Sequence, residues 1–175
     1  IWFIHPYAGG PAVGRYDRPY HLSKHWQVSG WSSVVLTPSQ HHLLDAPRHP
    51  GTARIEDVTY EFIRSPAYRG NGLGRLFNMA AFTANLVMRA NALAVTHGPP
   101  AMIIASSPHP YAYLAAQRLA RRFGSRCVYE VRDLWPLSLI ELAGVSPSHP
   151  LVQFTGWVER RAYRTADAVV SLLPC

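Results

Sequence analysis

The sequence is poor in cysteine, in acidic side chains and in long apolar runs, and each shortage excludes a class of protein. Its two cysteines, Cys127 and Cys175, supply neither a disulfide framework nor a metal-ligand spacing, which fits a cytoplasmic chain. No apolar run reaches the roughly 18 residues that a membrane span needs, because Arg89, Glu141 and Arg160 interrupt the most apolar windows. The first residues, IWFIHPY, lack a basic leader and read as a buried strand rather than a secretory signal. Acids are outnumbered, 10 Asp and Glu against 17 Lys and Arg, which leaves a formal net charge of +7. That balance points to an anionic partner, and admits nucleic acid, phospholipid or a phosphorylated small molecule.

What is present is a globular composition, 48% hydrophobic and 15% charged over 175 residues, enough for one domain with a full core. Strands are expected at Ile1–His5, Ser33–Thr37, Val58–Ile63, Ala101–Ala105, Val128–Val131 and Ala168–Leu172. Between them, helices are expected from Asp17 or Arg18 to Val28, Arg75 to Val95, Tyr111 to Phe123, Leu137 to Ala143 and Pro150 to Thr165. Such alternation is the pattern of an α/β fold, a parallel sheet with helices on both faces. The polar, proline-punctuated segment Pro38–Thr52 reads as a mobile loop. The chain begins inside a strand, without Met, and stops just after another, so it is expected to be part of a longer protein.

The most informative stretch is VYEVRDLWPLSLIEL, Val128–Leu142. Pro136 cannot donate to a ladder, so the strand ends near Arg132 and leaves Arg132, Asp133 and Trp135 in one turn. Ligands of open α/β sheets bind at the carboxyl ends of strands. An Arg and an Asp there can hold each other, a sugar hydroxyl or a phosphate oxygen; a pair that only caps its loop is equally compatible. The loop Pro6–Tyr16 carries Gly9, Gly10 and Gly14 between a strand and a helix N-terminus, an arrangement that offers amides to a phosphate. A tight turn without ligand is the alternative.

Other chemistries are disfavoured. The glycine spacing is not G-x-G-x-x-G, no Lys-Ser/Thr follows Gly14, and no acid ends the second strand, which argues against NAD and against a P-loop. Ser106, Ser107 and His109 lack the G-x-S-x-G frame of a hydrolase. The nine histidines are scattered through loops without ligand spacing, so no metal is expected. His-Pro-Tyr occurs at His5 and again at His109, which reads as coincidence. Arg118, Arg121, Arg122 and Arg126, with Arg160, Arg161 and Arg164, read as solvated helix faces; gathered on one surface, each would add about 1 kcal/mol of attraction to an anionic bilayer. With no reading helix and no aromatic platform, nucleic acid is not an expected partner.

Several stretches in their order, IWFIHPYAGGPAVGRYDRPYHLSKHW, YRGNGLGRLFNM, ASSPHPYAYLAAQRLA, VYEVRDLWPLSLIELAGV and WVERRAYRTADAVVSLLP, resemble the N-terminal, acceptor-side domain of family-four retaining glycosyltransferases of GT-B fold. The likeness is greatest to the bacterial branch that builds O-antigen, capsule and exopolysaccharide. The resemblance implies two Rossmann-like domains facing across a cleft, of which residues 1–175 form the acceptor-binding one, while the nucleotide-sugar-binding domain is absent from this chain. The isolated domain is then expected to be inactive. It implies a nucleotide-sugar donor, a saccharide acceptor linked to a polyprenyl diphosphate, no metal or other cofactor, and a cytoplasmic location, peripheral on the anionic inner face of the plasma membrane.

By position, the resemblance makes Gly9, Gly10 and Gly14 the donor-diphosphate loop, Arg132 and Asp133 the catalytic pair, and His109, Tyr16 and Trp135 the acceptor or cleft residues. Where relatives often place a His, this chain has Arg132, which cannot act as a base at neutral pH. Amides at a helix N-terminus and an Arg can stabilise a departing diphosphate without a metal. The reading from another class is a non-catalytic Rossmann-like module that binds a phosphorylated sugar or lipid.

Overall fold

The computed structural model describes residues 1–172; Cys175 lies outside them. Seven strands form one sheet: β1 (Trp2–Ile4), β2 (Val34–Pro38), β3 (Gly51–Ile55), β4 (Val58–Ile63), β5 (Met102–Ser106), β6 (Arg126–Val131) and β7 (Ala168–Ser171), in spatial order β3-β4-β2-β1-β5-β6-β7. All neighbouring pairs run parallel except β3 with β4. β1 and β2 are buried along their whole length, as strands covered on both faces must be.

Alternation along the strands divides the core in two. Trp2, Ile4 and Leu36 point to one face and pack with Phe82, Leu86 and Leu119. That face is covered by α2 (Leu73–Met88), α3 (Ala90–His97), α4 (Ala112–Phe123) and α6 (Pro150–Thr165). Val35, Tyr60 and Phe62 point to the other face with Tyr20 of α1 (Arg18–Val28), where Phe3 meets Trp26 edge-on at 5.4 Å. The short α5 (Leu137–Glu141) follows the β6 loop. α4 shows how a helix is written for such a seat. Ala112, Ala115, Ala116, Leu119 and Ala120 are buried, the i, i+3, i+4, i+7, i+8 stripe of a half-buried helix, and Gly124 ends it in the left-handed region at φ 65.

The expected elements form with three differences. Pro38–Thr52 is not a free loop. Ser39 donates to the Ile63 carbonyl at 2.8 Å, Asp45 to Val13 at 3.0 Å and Arg48 to Ser39 at 2.9 Å. Its last residues begin β3, an edge strand paired antiparallel with β4, so the sheet is mixed rather than wholly parallel. The long helix expected from Arg75 to Val95 breaks at Arg89, whose guanidinium reaches the buried Glu61 carboxylate at 3.1 Å.

Strand order departs from β1 in both directions, to β2 and β4 on one side and to β5 and β6 on the other. The connections therefore diverge between β1 and β5, and the crevice at the carboxyl ends of these strands is where such a sheet takes its ligand.

Candidate functional site

The loops after β1, β5 and β6 leave the same edge of the sheet, and the sequence-predicted residues are found along it. Tyr16, at the end of the first loop, stacks on His5 with centroids 4.9 Å apart and planes 16° apart. The Arg132 guanidinium lies 4.0 Å over the Tyr16 ring. Its Nη1 comes within 3.1 Å of His5 Nε2, while the Tyr7 amide donates to His5 Nδ1 at 3.1 Å. A neutral imidazole offers one acceptor nitrogen, so two donors compete for it and one N–H is left facing another. Arg132 Nε is also buried without a partner among the described residues. Arg132 thus keeps donors that find no acceptor, although the buried Glu130 carboxylate beside Tyr16 is held by Arg18 at 2.6 Å; unsatisfied donors are the condition an anion relieves.

Of the alternatives open to Arg132 and Asp133, mutual pairing is not the one the structure shows. No ion pair joins them among the described residues, because Tyr16 and His5 occupy the guanidinium. Asp133 stays exposed beside the crevice; partial desolvation raises its carboxyl pKa, with Arg132 opposing. Trp135 braces the loop. Its indole donates to the Ser107 carbonyl at 3.2 Å and its amide to Glu159 Oε1 at 2.9 Å. The Arg132 amide donates to Ser107 Oγ at 3.1 Å, so the ends of β5 and β6 are held as one unit.

The glycine loop is closed on itself. Gly9 donates to the Tyr16 carbonyl at 2.7 Å, Gly10 to Gly14 at 3.2 Å and Gly14 to Gly10 at 3.3 Å. A Cβ on Gly9 would overlap the Gly14 carbonyl, and one on Gly14 the Leu43 carbonyl. Gly9 and Gly14 thus let backbone pass against backbone, Gly10 at φ 155 sits against the Tyr60 hydroxyl, and the amides of all three bond to the chain itself.

Residues that the sequence did not single out complete the edge. Tyr7 lies at its centre, with ring centroids 4.8 Å from His42, 5.6 Å from His41 and 5.8 Å from His109. Its hydroxyl accepts from Arg75 Nη2 at 2.9 Å and Nε at 3.2 Å. Burial pushes the Tyr7 phenol up to about 12. It pulls His41 and His109 down to about 3, and His5 well below the usual imidazole range with Arg132 adding to the effect. The imidazoles are therefore neutral at pH 7, and the fixed positive charge comes from Arg75 and Arg132. The histidines look scattered in sequence because three loops, after β1, β2 and β5, carry them; only the sheet brings those loops together. Among the described residues, no group of three His, Cys, Asp or Glu side chains is placed to hold a metal ion.

Comparison with known proteins bears on this edge. Residues 17–175 match the family model described as a glycosyl transferase 4-like domain. The chain belongs to that family. None of the curated proteins matches it. Among solved structures it is similar to a sucrose-phosphate synthase from Thermosynechococcus elongatus, with 14% identity and a TM-score of 0.70 over 96% of this chain. The chain spans 41% of that structure. A second sucrose-phosphate synthase structure from the same organism is 13% identical with a TM-score of 0.64, covering 99% of this chain and 76% of that one. At such identities the likeness concerns the fold, a Rossmann-like half of the GT-B type. The neutral histidines and two arginines of this glycosyl transferase 4-like domain lie at the carboxyl ends of the strands, where open α/β sheets take their ligands. No helix among the described residues is long and apolar enough to cross a membrane.

Proposed function

We propose that this domain receives the acceptor in a retaining sugar transfer from a nucleotide sugar, working with a second, nucleotide-sugar-binding domain. The observation that carries the reading is the set of unsatisfied Arg132 donors beside His5 and Tyr16, on the strand edge of a chain that belongs to a glycosyltransferase family. As the glycosidic bond to the donor breaks, negative charge grows on the leaving diphosphate. A guanidinium held over a ring in a partly buried site stabilises that charge more than it would in water.

The acceptor is a saccharide on a polyprenyl diphosphate, and the product serves cell-surface polysaccharide synthesis. Two features support an anionic, sugar-bearing acceptor. Arg75 contacts the hydroxyl of Tyr7 and the amide of Asn71 and no carboxylate among the described residues. Beside the ends of β2 and β4, a cleft of about 830 Å³ is lined by Gln40, Arg48, Arg64, Phe77 and Asn85, a mixture of planar polar groups and one aromatic face suited to a sugar ring. The acid-poor helices support an anionic membrane surface as a further partner. Asp133, beside the crevice, positions the acceptor hydroxyl.

The protein as its gene encodes it, offered a panel of nucleotide sugars with a lipid-linked saccharide acceptor, is expected to release nucleoside diphosphate from one donor class. Asp133→Asn is expected to lower kcat by at least tenfold with an unchanged circular dichroism spectrum. Wild-type turnover in that variant removes Asp133 from the mechanism. Release from no donor, with retained binding of a sugar phosphate, favours a non-catalytic module.

A further inference from the structure

One face of the domain carries an apolar groove that the strand-edge site does not use. It is about 650 Å³, and its walls include Leu76, Ala84 and Val87 of α2, Leu114 of α4, and Leu151 and Phe154 of α6. Met88 and Phe154 of its wall, and Trp157 stacked on Phe154 at 5.9 Å, are exposed, Met88 to 72%. A contiguous apolar surface of this kind marks a site of interaction.

Its charge surroundings are one-sided. α2 and α4 contain no acid, and the one acid of α6, Glu159, is buried against the Trp135 amide. The same helices carry Arg75, then Arg118, Arg121 and Arg122, then Arg160, Arg161 and Arg164. Arg118 is itself part of the groove wall.

The groove is also continuous with the strand edge. Tyr111 forms part of its wall. That ring stacks on Phe154 at 5.9 Å and tilts against His109 at 5.5 Å, while its hydroxyl bonds Thr155 at 2.6 Å. Next to Leu76, Arg75 reaches Tyr7, whose ring lies 5.8 Å from His109. His109 is buried, and its Nδ1 has no partner among the described residues. From Leu76 to Val87 the helix rises roughly 16 Å at 1.5 Å per residue, a channel for an extended chain rather than a compact ring.

We propose that this groove holds the hydrocarbon chain of a lipid-linked acceptor, with the phosphate end of the lipid toward Arg75 and His109. The proposal rests on the transferase reading for the identity of the lipid, and on the groove alone for its chain. An apolar chain fills the cavity, a phosphate meets Arg75 at its mouth, and the sugar beyond it reaches the crevice between β1 and β5.

The test uses calorimetry with three probes on the protein as its gene encodes it: dodecyl phosphate below its micelle concentration, dodecyl maltoside, and inorganic phosphate. Dodecyl phosphate is expected to bind at least tenfold more tightly than either the neutral chain or the bare anion. Ala84 is exposed, so Ala84→Trp fills the groove without entering the core and is expected to weaken dodecyl phosphate at least tenfold at unchanged Tm. Ala80→Phe, one turn earlier and also exposed, serves if that variant does not fold. Undiminished binding in the filled variant overturns the proposal. So does equal binding of wild type and variant to phosphatidylcholine–phosphatidylglycerol vesicles with no preference for dodecyl phosphate, which makes the face a bilayer-docking surface. If dodecyl phosphate binding depends on Ala84 yet no nucleotide sugar is consumed, the groove stands and the transferase reading falls.

Discussion

The strand-end edge and the groove meet at Tyr111 and are built on opposite terms. At the edge, polar groups are buried and tied: His5, His41 and His109 are at most 7% exposed, and the glycine loop is closed by its own amides. In the groove, apolar groups are exposed and little holds them, with Met88 at 72%. Both regions are positively charged, but the charge behaves differently in each. Arg132, half-buried between a phenol and an imidazole, acts through a low local dielectric; the arginines around the groove stand in water and are screened over about 8 Å at physiological salt. The edge is therefore suited to selecting and stabilising one anion at one point, and the groove to attracting an amphiphile and tolerating its chain.

The largest test of that contrast is steric. Gly9→Ala places a methyl against the Gly14 carbonyl, backbone that cannot give way, and is expected to cost about 3 kcal/mol or more in urea unfolding. Ala84→Ser in the exposed groove is expected to stay within about 0.5 kcal/mol. Equal losses would erase the difference between a preorganised edge and a permissive groove.

Acid should separate the regions next. The imidazoles of His5, His41 and His109 have folded pKa values depressed by burial, the latter two to about 3. Between that value and the unfolded value near 6.5, the unfolded chain binds more protons, so stability falls as pH falls. From pH 7.5 to 5.5 the loss is expected to be about 1 kcal/mol for each histidine. In His109→Gln the slope over that range should drop by about half a proton, measured as the pH dependence of the urea midpoint. A flat profile would mean that the cluster is hydrated and open, like the groove.

Much of the fold was legible because the parallel strands are nearly continuous apolar runs and the helices between them carry one buried stripe. The edge strand β3 was not. Its connection to β4 is Glu56-Asp57, which lacks the glycine or asparagine that usually marks a two-residue hairpin. Glu56 adopts φ 48 because Tyr20 and Lys24, distant in sequence, hold its carboxylate. The break at Arg89 depends likewise on a buried Glu61 that no local pattern reveals.

Tyr16, Arg132, Trp135 and His109 lie along the strand-end edge, as the predictable strand ends and the resemblance implied, but the contacts they make there were not legible in the sequence. Neighbours in sequence, Arg132 and Asp133, do not pair, while residues more than a hundred positions apart, His5 and Arg132, do meet. The repeated His-Pro-Tyr has a spatial counterpart as well. β1 and β5 lie side by side with Ile4 opposite Ala105, so both copies arrive at one edge, where Tyr7 packs on His109.

The smallest effect is expected at the rim. Arg164 is exposed in the last turn of α6, where a cation also complements the helix dipole. Arg164→Gln should therefore lower stability by about 0.5 kcal/mol and weaken sedimentation with phosphatidylglycerol-containing vesicles by about 1 kcal/mol at most. Because the interaction is between charges in water, 0.5 M salt should abolish the difference between variant and wild type, and phosphatidylcholine vesicles should show none. A salt-independent loss would mean that Arg164 acts through packing of its aliphatic stem. The rim would then resemble the edge, where charge is held in place by what surrounds it.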